Sequence, residues 1–160
     1  MLNKVQFERL YQASEKQLFN IAYRWTWNHA EAQELVHEAF IRVWSRRLFI
    51  DPARAHAYLV RTVVNLCQKF VRRRRRGQRV HETLGLTAER APEPDQDYHR
   101  QQMRNAIETL PDALRHVLLL TEFTDMKQTE IGDLLGIPAG TVASRRNTAV
   151  RRLKEKFNEQ

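Results

Sequence analysis

The chain has 160 residues, room for one ordinary domain or two small ones, with 27 Lys and Arg against 19 Asp and Glu and a formal net charge of +8. A sequence pI near 10.1 points to an acidic partner, nucleic acid or an anionic membrane face, and 42% hydrophobic residues exclude a disordered basic tail. The single cysteine, Cys67, excludes an internal disulfide and fits a reducing cytoplasm. Apolar runs such as Val117–Leu120 fall far short of the ~20 residues of a bilayer span, so no membrane insertion is expected. The opening MLNKVQFERLYQ carries charges where a signal peptide needs an apolar core, and neither GxGxxG nor GxxxxGK[ST] occurs.

In chain order, Phe7, Leu10, Tyr11, Leu18, Ile21, Ala22 and Trp25 keep a three-to-four spacing and predict helix. Ser14 with Gln17 reads as a capping box at which the helix restarts, and Asn28 with Glu31 as a second start. Leu35, Val36, Ala39, Phe40, Val43 and Trp44 form an amphipathic stripe. Asp51-Pro52 supplies an N-cap and a first-turn proline. From there Ala55, Leu59, Thr62, Val63, Leu66 and Phe70 carry a long helix into the Arg72–Arg76 run. Cys67 falls on its apolar side and is expected to be packed rather than reactive. The composition then shifts. Residues 1–76 hold 15 basic and 6 acidic residues, whereas 77–97 hold 2 and 5, with two glycines and two prolines. That stretch reads as a flexible linker between a first domain, 1–76, and a second, 98–160.

The second domain is helical as well. One helix covers 98–109, and Pro111-Asp112 opens the next, with Leu114, Val117, Leu118 and Leu119 inward. In the stretch from Gln128 to Asn147, Ile131, Leu134 and Leu135 give a short apolar face. Gly136 supplies a left-handed helix end, Ile137 packs the turn, and Pro138 blocks continuation of the first helix. Gly132 lets the two helices approach closely. Val142, either Ala149 or Val150, and Leu153 then point inward from the next helix. That is a helix-turn-helix pattern. Residues 139–156 carry six basic residues against one acid, and Thr141, Ser144, Arg145, Asn147 and Thr148 offer donors for phosphates and major-groove base edges. The fold class expected is all-α, two small helical domains joined by a linker.

On these residues the chain resembles a bacterial extracytoplasmic-function (ECF) sigma factor of the sigma-70 family. AIETLPDALRHVLLL and TEIGDLLGIPAGTVASR are similar to the family's region four, and AEAQELVHEAFIRVW to the part of region two that docks on RNA polymerase. The resemblance implies a region-two helical bundle and a region-four helix-turn-helix domain. It implies core RNA polymerase (β′ clamp and β flap) and promoter DNA as partners, and a cytoplasmic bacterial location. It places Glu34, Leu35, Val36, His37, Glu38 and Phe40 against the β′ clamp, where carboxylates with apolar anchors suit a basic partner helix. It assigns the −10 element to the segment from about Phe49 to Arg76, with Tyr58, Arg61 and Asn65 holding unpaired bases and Arg72 and Arg73 on phosphates. It gives the −35 element to Thr141, Ser144, Arg145, Arg146 and Asn147. Family members are commonly held inactive by an anti-sigma factor that covers the polymerase-binding faces, which makes such a protein a further expected partner.

The sequence departs from the family pattern where Ala57-Tyr58-Leu59 replaces a usual Trp-Leu pair, and at Ala143 and residues 146–148 of the recognition helix. The promoter letters therefore do not transfer. No cofactor, metal site or catalytic residue is expected, because the six histidines show no ligand spacing and no nucleophile–base set stands out. The alternative reading, a stand-alone helix-turn-helix regulator, leaves residues 1–76 without a role. The sequence stops just past region four, which predicts no regulatory domain appended after it.

Overall fold

The computed structural model describes residues 1–84 and 92–159. Among them the chain is all-α, with seven α-helices, two 3-10 turns and no strand. It divides into two compact units, Met1–Glu93 and Pro94–Gln160.

In the first unit α1 (Lys4–Thr26), α2 (His29–Ser45) and α3 (Ala55–Leu84) pack on one another. The start of α1 is a reciprocal box three residues into the chain. The Asn3 side-chain oxygen accepts from the Gln6 N–H at 2.8 Å, and the Gln6 side chain accepts from the Asn3 N–H at 2.9 Å. No restart occurs at Ser14. That residue is fully buried on the face carrying Leu18, Ile21, Ala22 and Trp25. Burial against the rest of the bundle outweighs the local capping pattern, and the small side chain sits inside one continuous helix. Trp27 ends α1 in the left-handed region at φ 51°, its N–H donating to the Tyr23 carbonyl at 2.7 Å. Asn28 then caps α2, accepting from the Glu31 N–H at 3.0 Å, as its sequence pattern predicts. Glu93 returns to this corner. Its N–H donates to the Trp27 carbonyl at 2.8 Å, and its carboxylate accepts from the His29 N–H at 3.2 Å and lies beside the His29 ring.

Between α2 and α3 run two 3-10 turns, Arg47–Phe49 and Pro52–Arg54, the second capped by Asp51. Ala55, Leu59, Val60, Val63, Val64, Leu66, Cys67 and Val71 bury one side of α3, and burial pushes the Cys67 thiol pKa far up. Helix α3 continues to Leu84. Residues 77–84, expected in the linker, therefore extend the helix. Pro92 and Glu93 fall within the first unit, Pro94 to Asp97 open the second, and 85–91 lie outside the described residues.

The second unit comprises α4 (Tyr98–Glu108), α5 (Asp112–Phe123), α6 (Gln128–Leu135) and α7 (Ala139–Asn158). Asp97 caps α4 through the His99 and Arg100 N–H groups. Its pKa is lowered mainly by the Arg100 backbone bond. Leu114, Val117, Leu118, Leu119 and Leu120 of α5 meet Ile131 of α6 and Val142 and Ala149 of α7 in the core, which settles the Ala149-or-Val150 alternative in favour of Ala149. Arg115 is buried at 2% exposure, ion-paired with Asp112 at 2.7 Å and Glu108 at 3.5 Å. These two carboxylates keep the guanidinium from being an uncompensated buried charge. No helix among the described residues is long and apolar enough to cross a membrane.

Candidate functional site

Three surfaces hold the candidate residues. The first is a groove of about 550 Å³ between α1 and α2, lined by Tyr11, Glu15, Lys16, Phe19, Gln33, Glu34, Val36, His37 and Phe40. Of the six residues expected at the polymerase contact, Glu34 and His37 are exposed on its wall. Val36 and Phe40 are buried and form part of its floor. Leu35 belongs to the core and does not line the groove. Glu38 is not among the lining residues and is ion-paired with Arg42 one turn on. The α1 wall was missed in the sequence. Tyr11 packs on Phe40 with ring centroids 4.5 Å apart and donates its hydroxyl to Glu15 at 3.2 Å. Burial, then Glu15, raise its pKa. Tyr11 reads as one more member of an apolar stripe, and only its 37% exposure sets it apart. The groove thus combines an apolar floor with the Glu15 and Glu34 carboxylates and the Lys16 side chain.

The second surface joins the turn after α2 to one face of α3. Arg61 and Asn65, one turn apart, are both exposed. Tyr58 is half-buried and accepts from the Arg46 guanidinium at 3.2 Å. Phe49, at 91% exposure, and Leu48, at 55%, project from the Arg47–Phe49 turn. They carry no helical periodicity, so pattern reading had no signal for their exposure.

The arginine run divides by helical phase. Arg72, Arg73 and Arg76 are exposed, whereas Arg74 turns back, donating to the Thr26 carbonyl at 3.0 Å with its guanidinium 5.8 Å from the Phe70 ring. A solvated reading fits the first three; Arg74 ties α3 to the end of α1. Arg74→Ala is expected to destabilise the first unit by about 1–2 kcal/mol and leave the salt dependence of DNA binding unchanged. Arg72→Ala is expected to spare stability and reduce the salt slope by about one phosphate contact. Chemical denaturation and DNA titrations at several salt concentrations separate the two effects.

The third surface is the helix-turn-helix. Gly136 ends α6 at φ 71°, and the Ile137 N–H donates to the Gly132 carbonyl at 2.9 Å. A Cβ on Gly132 would stand 2.6 Å from the Ile137 carbonyl oxygen, so the close approach expected of Gly132 is real. Glu130 accepts from the Lys127 N–H at 2.9 Å and steadies the start of α6. On α7, Val142 and Ala149 face inward. Arg146, four residues after Val142, shares that side and pairs with Glu122 of α5 at 2.9 Å. Ser144 and Asn147 are exposed, and Thr141 and Arg145 half-buried. Pro138 leaves the α7 N-terminus without a side-chain cap, so the positive end of its dipole is available to an anion.

Comparison with known proteins agrees with this division. The Sigma-70 region 2 family model matches residues 10–77, and the Sigma-70, region 4 model matches residues 100–153. The ECF RNA polymerase sigma factor RpoE of Cereibacter sphaeroides is 30% identical over 136 residues, covering 79% of this chain and 72% of that protein. The ECF RNA polymerase sigma factor SigE of Mycolicibacterium smegmatis is 28% identical over 155 residues, 93% of this chain. The chain spans 60% of the length of that SigE. Among solved structures, the sigma factor RpoE in complex with the anti-sigma factor NepR from Bartonella quintana shares the fold. Its TM-score is 0.74 at 22% identity, over 95% of this chain and 96% of that one. Two sigma-70 regions in order, each on its own helical unit, together with the RpoE identity, make this chain a member of the ECF sigma factors of the sigma-70 family.

Proposed function

We propose that this chain is a promoter-specificity subunit: it binds core RNA polymerase and directs initiation from promoters carrying its −10 and −35 elements. The observation that carries this reading is the pairing, in one chain, of a region-two unit bearing the α1–α2 groove with a region-four unit bearing α7. The groove and its Glu34 and His37 wall take the β′ clamp, and Val36 and Phe40 beneath them accept an apolar anchor. Leu35 and Glu38 support that surface, one through the core and the other through Arg42. Arg61, Asn65 and Tyr58, with Phe49 as an added stacking surface, hold the unpaired −10 strand. Arg72 and Arg73 neutralise phosphates.

In the second unit Thr141, Ser144, Arg145 and Asn147 face the −35 duplex, with the uncapped α7 terminus on a phosphate. Arg146, held by Glu122, orients the helix. The polymerase supplies the chemistry, and the chain itself is not an enzyme. It acts in the bacterial cytoplasm, and an anti-sigma factor is a further partner for its polymerase-binding faces.

The test is direct. Purified chain with core polymerase is expected to comigrate with core and start transcripts from promoters of the genes that rise when the chain is overproduced. Tight binding to duplex operator with no association with core would establish the stand-alone regulator instead. Arg145→Ala is expected to lower −35-dependent initiation by roughly tenfold, the loss of one good base or phosphate contact. Arg146→Ala is expected to act through the stability of the second unit, and Glu122→Gln to reproduce it. Equal activity of Arg145→Ala on promoters with and without a −35 element removes that residue from recognition.

A further inference from the structure

The turn that carries the exposed Leu48 and Phe49 is held from an unexpected direction, the extreme N-terminus. The Leu2 N–H donates to the Arg47 carbonyl at 2.9 Å, and the Leu2 side chain is 2% exposed. The same carbonyl accepts from the Ile50 N–H at 3.4 Å, and the Phe49 N–H donates to the Arg46 carbonyl at 2.9 Å. Arg47 lies over the Trp44 ring at 4.0 Å and donates to the Trp44 carbonyl at 2.9 Å. Trp44 in turn packs on Phe7 of α1, centroids 4.9 Å apart. The Asn3–Gln6 box begins immediately after Leu2, so its position is set by the first turn of α1. Ile50, 6% exposed, anchors the far side. Of the apolar side chains at the turn, Leu2 and Ile50 are buried, whereas Leu48 and Phe49 point outward.

An apolar pair kept in water by a rigid mount differs from a loose loop whose hydrophobic side chains are free to fold back. Unstacking a base costs energy that only a surface already in place recovers, and a surface that must first order itself loses part of that gain. We infer that Leu2 is a positioning residue for promoter opening, acting through the Arg47 carbonyl to hold Leu48 and Phe49 where the separating −10 strand meets them. The inference rests on the sigma-factor reading of the first unit. Leu2 itself touches no DNA in it.

The test compares holoenzyme assembled from full-length chain on a duplex promoter and on the same promoter opened in advance by mismatches across the −10 element. Leu2→Gln is expected to slow open-complex formation about tenfold on duplex, by permanganate reactivity of thymines in the opened region, and by less than about threefold on the pre-opened template. Leu2→Met is expected to restore the duplex rate. Val5→Ala, at an α1 position 56% exposed, is expected to change neither. Leu2→Gln combined with Phe49→Ala is expected to be no slower than Phe49→Ala alone, because both act at one step. Should Leu2→Gln fail to assemble with core, Leu2→Val, which shortens the side chain without adding a polar group, is expected to show the same duplex-selective defect at about threefold.

Equal rates for Leu2 variants and wild type on duplex overturn the inference. So do equal losses on both templates, or multiplying effects in the double variant, since these are marks of general destabilisation. Wild-type chain that initiates on neither template removes the sigma-factor reading itself, a separate and distinguishable failure.

Discussion

Gly132→Ala is expected to unmake the helix-turn-helix while leaving the first unit folded. The added methyl would stand 2.6 Å from the Ile137 carbonyl oxygen. That obstacle is backbone, so no rotamer change relieves it. The Ile137 N–H is bonded to the Gly132 carbonyl at 2.9 Å, so the turn cannot move outward without breaking the bond that defines it. The expected cost is about 3 kcal/mol of stability in the second unit, at the upper end of overpacking penalties. Hydrogen exchange on the full chain should show α6 and α7 amides losing protection while α1 to α3 keep theirs. Transcription from promoters that depend on the −35 element should fall in step.

The other two described glycines of the motif are controls of opposite sign. Gly136→Ala meets no neighbour, but its φ of 71° is the left-handed region, and about 1 kcal/mol is expected. Gly140→Ala, also in open space and within the first turn of α7, is expected to gain about 0.5–1 kcal/mol of helix stability. A Gly132→Ala chain as stable as wild type would mean that α6 and α7 do not cross as closely as described.

The second large effect belongs to the other unit. Glu34→Lys with Glu38→Lys is expected to weaken association with core polymerase by at least ~100-fold at low salt, since like charges across a docked surface cost several kcal/mol. The fold itself is expected to tolerate the change to within ~0.5 kcal/mol. Glu34 is exposed, and Glu38 gives up only its one-turn pair with Arg42, in which both side chains are about half exposed. The defect should shrink as salt rises and screens the repulsion, which separates it from loss of shape. Sedimentation or native gel analysis with core, beside thermal melting of the free chain, reads both quantities. Unchanged affinity would move the polymerase contact away from this wall of the groove.

Features set by near neighbours were legible in the sequence. Gly136 is followed two residues later by Pro138, and the left-handed helix end stands where that pair predicts. Asn28 caps α2 through a residue three positions on. Gly132 predicts a close approach, and a Cβ there would stand 2.6 Å from the Ile137 carbonyl oxygen. Features set by distant partners were not. Ser14 carries the same local pattern as a cap and is buried in mid-helix instead. Which arginine finds a partner within its unit depends on what stands opposite, Thr26 for Arg74 and Glu122 for Arg146. The Glu122 pair leaves the Arg146 side chain 42% exposed on a helix whose basic residues read as nucleic-acid contacts. Leu2 and Arg47 are far apart in sequence, and no periodicity connects them. The glycine and proline content rises at residue 77, whereas α3 runs on to Leu84, an extension that composition does not signal.

That last boundary bears on how the protein is taken apart. The composition break invites a cut at residue 76, between a basic half and an acidic stretch. Such a cut would shorten α3 by eight residues and discard Glu93, whose carboxylate faces the amino end of α2 and whose N–H closes the Trp27 corner. A fragment made there would expose the left-handed Trp27 bend and leave the His29 N–H to water, and its instability would be mistaken for a property of the domain. The division that respects the hydrogen bonds falls between Glu93 and Pro94.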